Sequence, residues 1–178
     1  REAALARELG YDIGLLGLGA LGALGDASDE HLLEHAREVA SVLPIMGFYL
    51  QPAAGGRLLS EGFWRRLVEI PNLVGIKIAP FNRYQTLHVL RAVAASGRVG
   101  DIALYTGNDD AILLDLLTEH EIDVEGRPVR LGMVGGLLGH WAYWTHRAVE
   151  QLARVRLAKR AGMLPADLLT LAAQVTES

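Results

Sequence analysis

The feature that most constrains this fold is an alternation. Five short apolar runs, "YDIGLLGLG" (11 to 19), "PIMGFYL" (44 to 50), "LVGIKIA" (73 to 79), "DIALYT" (101 to 106) and "VRLGMVG" (129 to 135), have strand character and are separated by helical patterns. Ser28, with Asp29 and Glu30 in the first turn, opens a helix carrying Leu32, Leu33, Ala36, Val39, Ala40 and Leu43 at helical spacing. Ser60 caps a second helix to about Ile70, Gln85 to Ser96 reads as a third stopped by Gly97, and Asp109 to His120 as a fourth. A long helix runs from Gly139 to about Ala161 and is closed by Gly162, Pro165 starts another, and "REAALARELG" at the amino end is a charged amphipathic helix. Strands alternating with helices specify an α/β fold with a parallel sheet, because the crossover helices must cover the sheet faces. The pattern leaves open whether the sheet closes into a barrel. A full (β/α)8 barrel takes roughly 200 to 250 residues, so 178 residues hold only part of one.

Composition narrows the function classes. With 51% hydrophobic and 21% charged residues the chain can bury one good core, and a single domain spanning 1 to 178 is expected. A net charge of −4, no Lys/Arg block and 6% aromatic residues give no footprint for nucleic acid. Without cysteine there are no disulfides or thiolate metal sites. No stretch of about 18 apolar residues predicts a membrane span, and a cytoplasmic, soluble protein is expected.

The third run carries a misfit. Side chains alternate along a strand, so Gly75, Lys77 and Ala79 share one face and Val74, Ile76 and Ile78 the other. A desolvated lysine with room around it suits an imine-forming nucleophile, because burial disfavours the ammonium form. Equally, a lysine on an edge strand can cover apolar surface with its stem while its head reaches water. The second run adds weight to the first reading. Ile45, Gly47 and Tyr49 share a face, Tyr49 sits at the carboxyl end of its strand, and that rim is where parallel α/β folds bind ligands.

These residues also carry a resemblance. "FYLQPAAGG" resembles the tyrosine-x-x-proline segment, and "GIKIA" the Schiff-base lysine segment, of the dihydrodipicolinate synthase and N-acetylneuraminate lyase family of class I aldolases. Pro52, Gly56 and Asn82 follow at the family's distances, "YTGND" (105 to 109) is similar to its Ser-Gly-Asp segment, and "LGMVGG" (131 to 136) to its seventh-strand segment. The resemblance implies part of a TIM barrel, about strands 3 to 7, truncated at both ends. It implies a lyase or synthase in which Lys77 forms an imine with a 2-oxo acid such as pyruvate, to make or break a carbon–carbon bond with an aldehyde partner. Tyr49 would be the proton relay. Thr106, Gly107, Asn108 and Asp109 would line the distal end of the substrate, and Val134 and Gly135 the backbone around the imine. No cofactor or metal is implied, and homo-oligomers are expected. The chain departs from the family in lacking the paired-threonine segment and the eighth strand. Ile78 stands where glutamate is common, and Arg57 comes later than the arginine some synthases place after the proline.

Other motifs compete. "GLGALG" (17 to 22) satisfies the G-x-G-x-x-G dinucleotide pattern, which makes a nicotinamide-binding α/β protein the alternative function. Its context differs: Asp26, Ser28 and Asp29 start the helix several residues late, and no acidic residue ends the next strand. A catalytically inactive binding or assembly module is a third possibility. "HLLEH" puts His31 and His35 at zinc-ligand spacing, but no third ligand is indicated and they read as exposed helix residues. Trp141, Tyr143 and Trp144 read as packing or subunit interface rather than a ligand wall.

Overall fold

The computed structural model describes residues 1–19, 21 and 27–177. They form two compact units, Arg1–Ala103 and Leu104–Ser178. In the first, helix α1 (Glu2–Glu8) leads into strand β1 (Gly14–Gly17), helix α2 (Asp29–Val42), strand β2 (Ile45–Leu50), helix α3 (Glu61–Leu67), strand β3 (Leu73–Ala79) and helix α4 (Arg83–Ala95). β1 pairs in parallel with β2, and β2 with β3.

Local chemistry sets the helix starts. The first amides of a helix have no intrahelical acceptor, so a side-chain oxygen just before them is stabilising. Ser28 Oγ accepts from the His31 amide, Ser60 Oγ from the Phe63 amide at 2.9 Å, and Asn82 Oδ1 from the Tyr84 amide at 2.9 Å. α2 then buries Leu32, Leu33, Ala36 and Ala40, and α3 buries Phe63, Trp64 and Leu67. β3 is buried at every position except Val74, as a parallel strand covered on both faces should be. Below the strand, Arg98 gathers the α3–β3 connection. Its guanidinium donates to the carbonyls of Val68 at 2.6 Å, Ile70 at 2.8 Å, Pro71 at 3.0 Å and Leu73 at 3.1 Å.

Strand β4 (Ala103–Thr106) opens the second unit, followed by helix α5 (Ile112–Leu117), strands β5 (Glu119–Val124), β6 (Arg127–Gly132) and β7 (Gly135–Gly136), and helices α6 (His140–Tyr143), α7 (Thr145–Ala161) and α8 (Ala166–Glu177). β7 pairs in parallel with β4, Tyr105 beside Gly135 and Thr106 beside Gly136. Five strands thus pair in parallel, three in the first unit and two in the second.

Three expected elements differ. The run 129 to 135 is not one strand: Val129 to Gly132 belongs to β6, which pairs antiparallel with β5 as a hairpin. Its turn is Glu125–Gly126, with φ of 54° and 79°, the left-handed pair that matches hairpin twist. The helix expected to reach His120 stops at Leu117 because β5 begins at Glu119. The long helix from Gly139 breaks at Trp144, with φ −117° and ψ 63°. Gln151 Oε1 on α7 holds the fold-back, accepting from Trp141 Nε1 at 2.7 Å with His140 Nε2 2.9 Å away. Trp141 packs inside, while Tyr143 and Trp144 are exposed. No helix among the described residues is long and apolar enough to cross a membrane.

Candidate functional site

Lys77 is buried, with 6% of its surface exposed. Its neighbours on β2 follow from the register: Met46 lies beside Gly75, Phe48 beside Lys77 and Leu50 beside Ala79. The Lys77 Nζ stands 4.4 Å from the centre of the Phe48 ring, a cation–π distance that holds the amine against the aromatic face. Gly75 does not simply leave room. A Cβ there would meet the Ala103 carbonyl at 2.9 Å and Met46 Cε at 3.0 Å, so its missing side chain admits a neighbouring backbone and a methionine. The space beside the lysine at Gly75 is therefore filled rather than open.

Tyr49 is not at the lysine. It lies beside Ile78, one register step from Phe48, and so points to the opposite face of the sheet. Its ring centre is 5.0 Å from that of Trp64 on α3, and its hydroxyl donates to the Leu59 carbonyl at 3.3 Å and accepts from the Leu59 amide at 3.4 Å. Burial pushes the phenol above its ordinary pKa, with the Leu59 hydrogen bond opposing. Tyr49 and Lys77, expected together as proton relay and nucleophile, thus lie on opposite faces of the sheet. Alternation within each strand was readable, but which faces coincide depends on register, and the register shifts between Ile45 and Met46. The even-numbered residues of β2 share the lysine face. Gly47, on the same face as Tyr49, makes room for α3: a Cβ there would lie 3.3 Å from Leu67 and 3.7 Å from Trp64.

In the second unit, the end of β4 carries a buried polar cluster. Thr106 Oγ1 donates to Asp115 Oδ2 at 2.5 Å, Asn108 Nδ2 donates to the same oxygen at 3.0 Å, and the Asn108 amide donates to Thr106 Oγ1 at 3.2 Å. Gly107 is buried between them. Asp115 was missed from the sequence, although an acid on the apolar face of "AILLDLL" was a signal for it. Asp109 lies against Gly139, where a Cβ would be 3.1 Å from its Oδ1. Val134 is half exposed and its amide donates to the Leu104 carbonyl at 2.8 Å, while Gly135 lies so close to Tyr105 that a Cβ would be 2.7 Å from its ring.

Back in the first unit, a hollow of about 250 Å³ opens at the carboxyl ends of β1 and β2, bounded by Gly17, Gly19, Phe48, Gly55 and Arg57 among others. Phe48 is thus shared between the hollow and the lysine. Backbones touch here: a Cβ on Gly19 would sit 2.0 Å from the Gly55 carbonyl. The glycines of "GLGALG" that fall within the described residues shape this wall, whereas Gly22 lies outside them. α2 starts only at Asp29, so neither Gly17 nor Gly19 opens it, as the glycines of a dinucleotide fingerprint would. His31 Nδ1 lies 3.2 Å from Ser28 Oγ, and no group of three His, Cys, Asp or Glu among the described residues could hold a metal.

No family model matches the sequence, and no curated protein matches it. Solved structures do. Dihydrodipicolinate synthase from the commensal bacterium Bacteroides thetaiotaomicron superposes with a TM-score of 0.67 at 15% identity, over 97% of this chain and 50% of that one. The chain has the fold of half such an enzyme. A monomeric dihydrodipicolinate synthase variant matches with a TM-score of 0.65 at 18% identity, over 97% of this chain and 49% of that one. A variant of 2-keto-3-deoxygluconate aldolase from Sulfolobus solfataricus gives 0.60 at 16%, over 98% and 48%. The chain therefore spans about half the length of the synthases and aldolases it matches, as part of a TIM barrel. At these identities the likeness is one of fold.

Proposed function

We propose that this chain is the lysine-bearing part of a Schiff-base lyase or synthase that acts on a 2-oxo acid such as pyruvate. The observation that supports the reading is Lys77 itself, an amine buried in an otherwise apolar strand and lodged on an aromatic ring. Lysines are seldom fully buried, and ionisable side chains held inside a fold occur often at functional sites.

In the proposed reaction the unprotonated Nζ attacks the ketone carbon, a carbon–nitrogen bond forms, and the carbonyl oxygen leaves as water once protonated. The protonated imine then withdraws electrons from the adjacent carbon, so that a carbon–carbon bond to an aldehyde-derived carbon can form or break there. Hydrolysis returns the amine. Phe48 contributes no proton; it supports the amine and excludes water from one side. Tyr49 takes no part in this chemistry and belongs to the packing of α3. Reduction with borohydride in the presence of pyruvate tests the reading. A stable adduct on the native chain, lost in Lys77→Ala, is expected; adduct formation that survives Lys77→Ala would refute it.

A further inference from the structure

β5 and β6 form a sheet of their own, and no third strand among the described residues pairs with either outer edge. A two-stranded hairpin alone is marginally stable in water, and an open edge is a template for a further strand. The two edges differ. In a hairpin closed by a two-residue turn, the flanking pair, here Val124 and Arg127, exchanges both backbone hydrogen bonds, and bonded pairs then alternate with unbonded ones. Ile122 and Val129 are therefore bonded to each other, whereas Glu121 and Asp123 on β5, and Pro128 and Arg130 on β6, direct their backbone groups outward. Pro128 has no N–H to give, which blunts the β6 edge. The β5 edge keeps its donors, and its exposed Glu119, Glu121 and Asp123 share one face.

We propose that β5 is a docking edge for an extended, basic segment of another protein, added as a third, antiparallel strand. Opposite each exposed acid such a strand would carry lysine or arginine. The residues between, facing the same way as the half-buried His120, Ile122 and Val124, would be apolar. A second copy of this chain fits poorly. Its β5 would set carboxylates against carboxylates, which is destabilising, and its β6 would bring Pro128 to the ladder. Charge favours a basic partner. Residues 119 to 132 hold four carboxylates against two guanidiniums. Arg130 stands 3.0 Å from Glu121 and Lys159 3.3 Å from Glu119, while Asp123 accepts the Gly126 amide at 3.1 Å. Even with Lys159 included the acids are in excess, so the charges that keep two copies of β5 apart would hold a basic strand. The docking edge is independent of the chemistry at Lys77.

Amide hydrogen exchange followed by NMR on the full chain tests this, with the capped peptide Lys-Val-Lys-Val-Lys as probe. At about 1 mM peptide the Glu121 and Asp123 amides should exchange about threefold more slowly, as a Kd of about 0.5 mM gives, while the Arg130 amide on the other edge stays as it was. The capped peptides Val-Lys-Lys-Lys-Val, of equal composition, and Glu-Val-Glu-Val-Glu should slow neither. Glu121→Lys should abolish the effect, with a thermal unfolding curve showing that the variant folds; if it does not fold, the three peptides on the native chain decide. No slowing by the alternating basic peptide overturns the proposal. So does equal slowing by Val-Lys-Lys-Lys-Val, which would show attraction without strand addition. Slowing that grows with protein concentration in the absence of peptide would place a second copy on the edge and overturn it as well.

Discussion

Phe48 and Tyr49 are adjacent in sequence and face opposite sides of β2, one holding an amine and the other a helix. That division predicts how each behaves. The Tyr49 phenol has its pKa raised by burial, so in the unfolded chain it ionises near its ordinary value of about 10, while in the folded chain it keeps its proton. The unfolded state then binds fewer protons, and stability falls as pH rises above about 10. Tyr49→Phe lacks this slope. Near neutral pH the native chain should be the more stable by about 1 kcal/mol, from the Leu59 hydrogen bonds; the difference should shrink and then reverse as the solution is made alkaline, read by urea denaturation at each pH. A constant difference across that range would mean that the phenol is not shielded. Borohydride trapping should be undiminished in the same variant.

At the level of elements, two polar clusters, one partly buried at Arg98 and one buried at Asp115, hold the connections in place. Arg98 serves four carbonyls around the start of β3, so Arg98→Ala should leave acceptors unpaired and cost about 2 to 3 kcal/mol in urea denaturation. A loss of a few tenths would show that water replaces it freely. Asp115 accepts from both Thr106 and Asn108, and Asp115→Ala should cost about 2 to 3 kcal/mol because two buried donors lose their acceptor together. Neither device was visible in the linear pattern, since each depends on a partner distant in space. The elements themselves were more legible. β3 spans the run read as a strand, and Ser28 and Ser60 cap the helices they were expected to cap. The β5–β6 hairpin was hidden because its Glu125–Gly126 turn uses a glutamate at positive φ, where asparagine or aspartate would have signalled it.

At the scale of the whole molecule, the order of strands and helices was readable because parallel sheets leave few ways to connect them. The candidate site was readable only in part. Lys77 stood out as one charge in an apolar run, and its burial follows from that composition. Its partner did not, because a single register step at Ile45 and Met46 exchanges Tyr49 for Phe48 and no local pattern fixes that step. In the sequence Arg57 stands out only for its late position; that its Nε and Nη1 find no hydrogen-bond partner among the described residues depends on packing.

The chain contains only two lysines, so the amine that condenses can be read directly. Lys77 is buried on β3, and Lys159 lies on α7 with its Nζ 3.3 Å from Glu119. Borohydride reduction with pyruvate, followed by peptide mass mapping, reports which amine condenses. The reduced adduct is expected on the peptide containing Lys77 and none on Lys159 or the terminal amine. An adduct on either of those, with Lys77 unmodified, would contradict it.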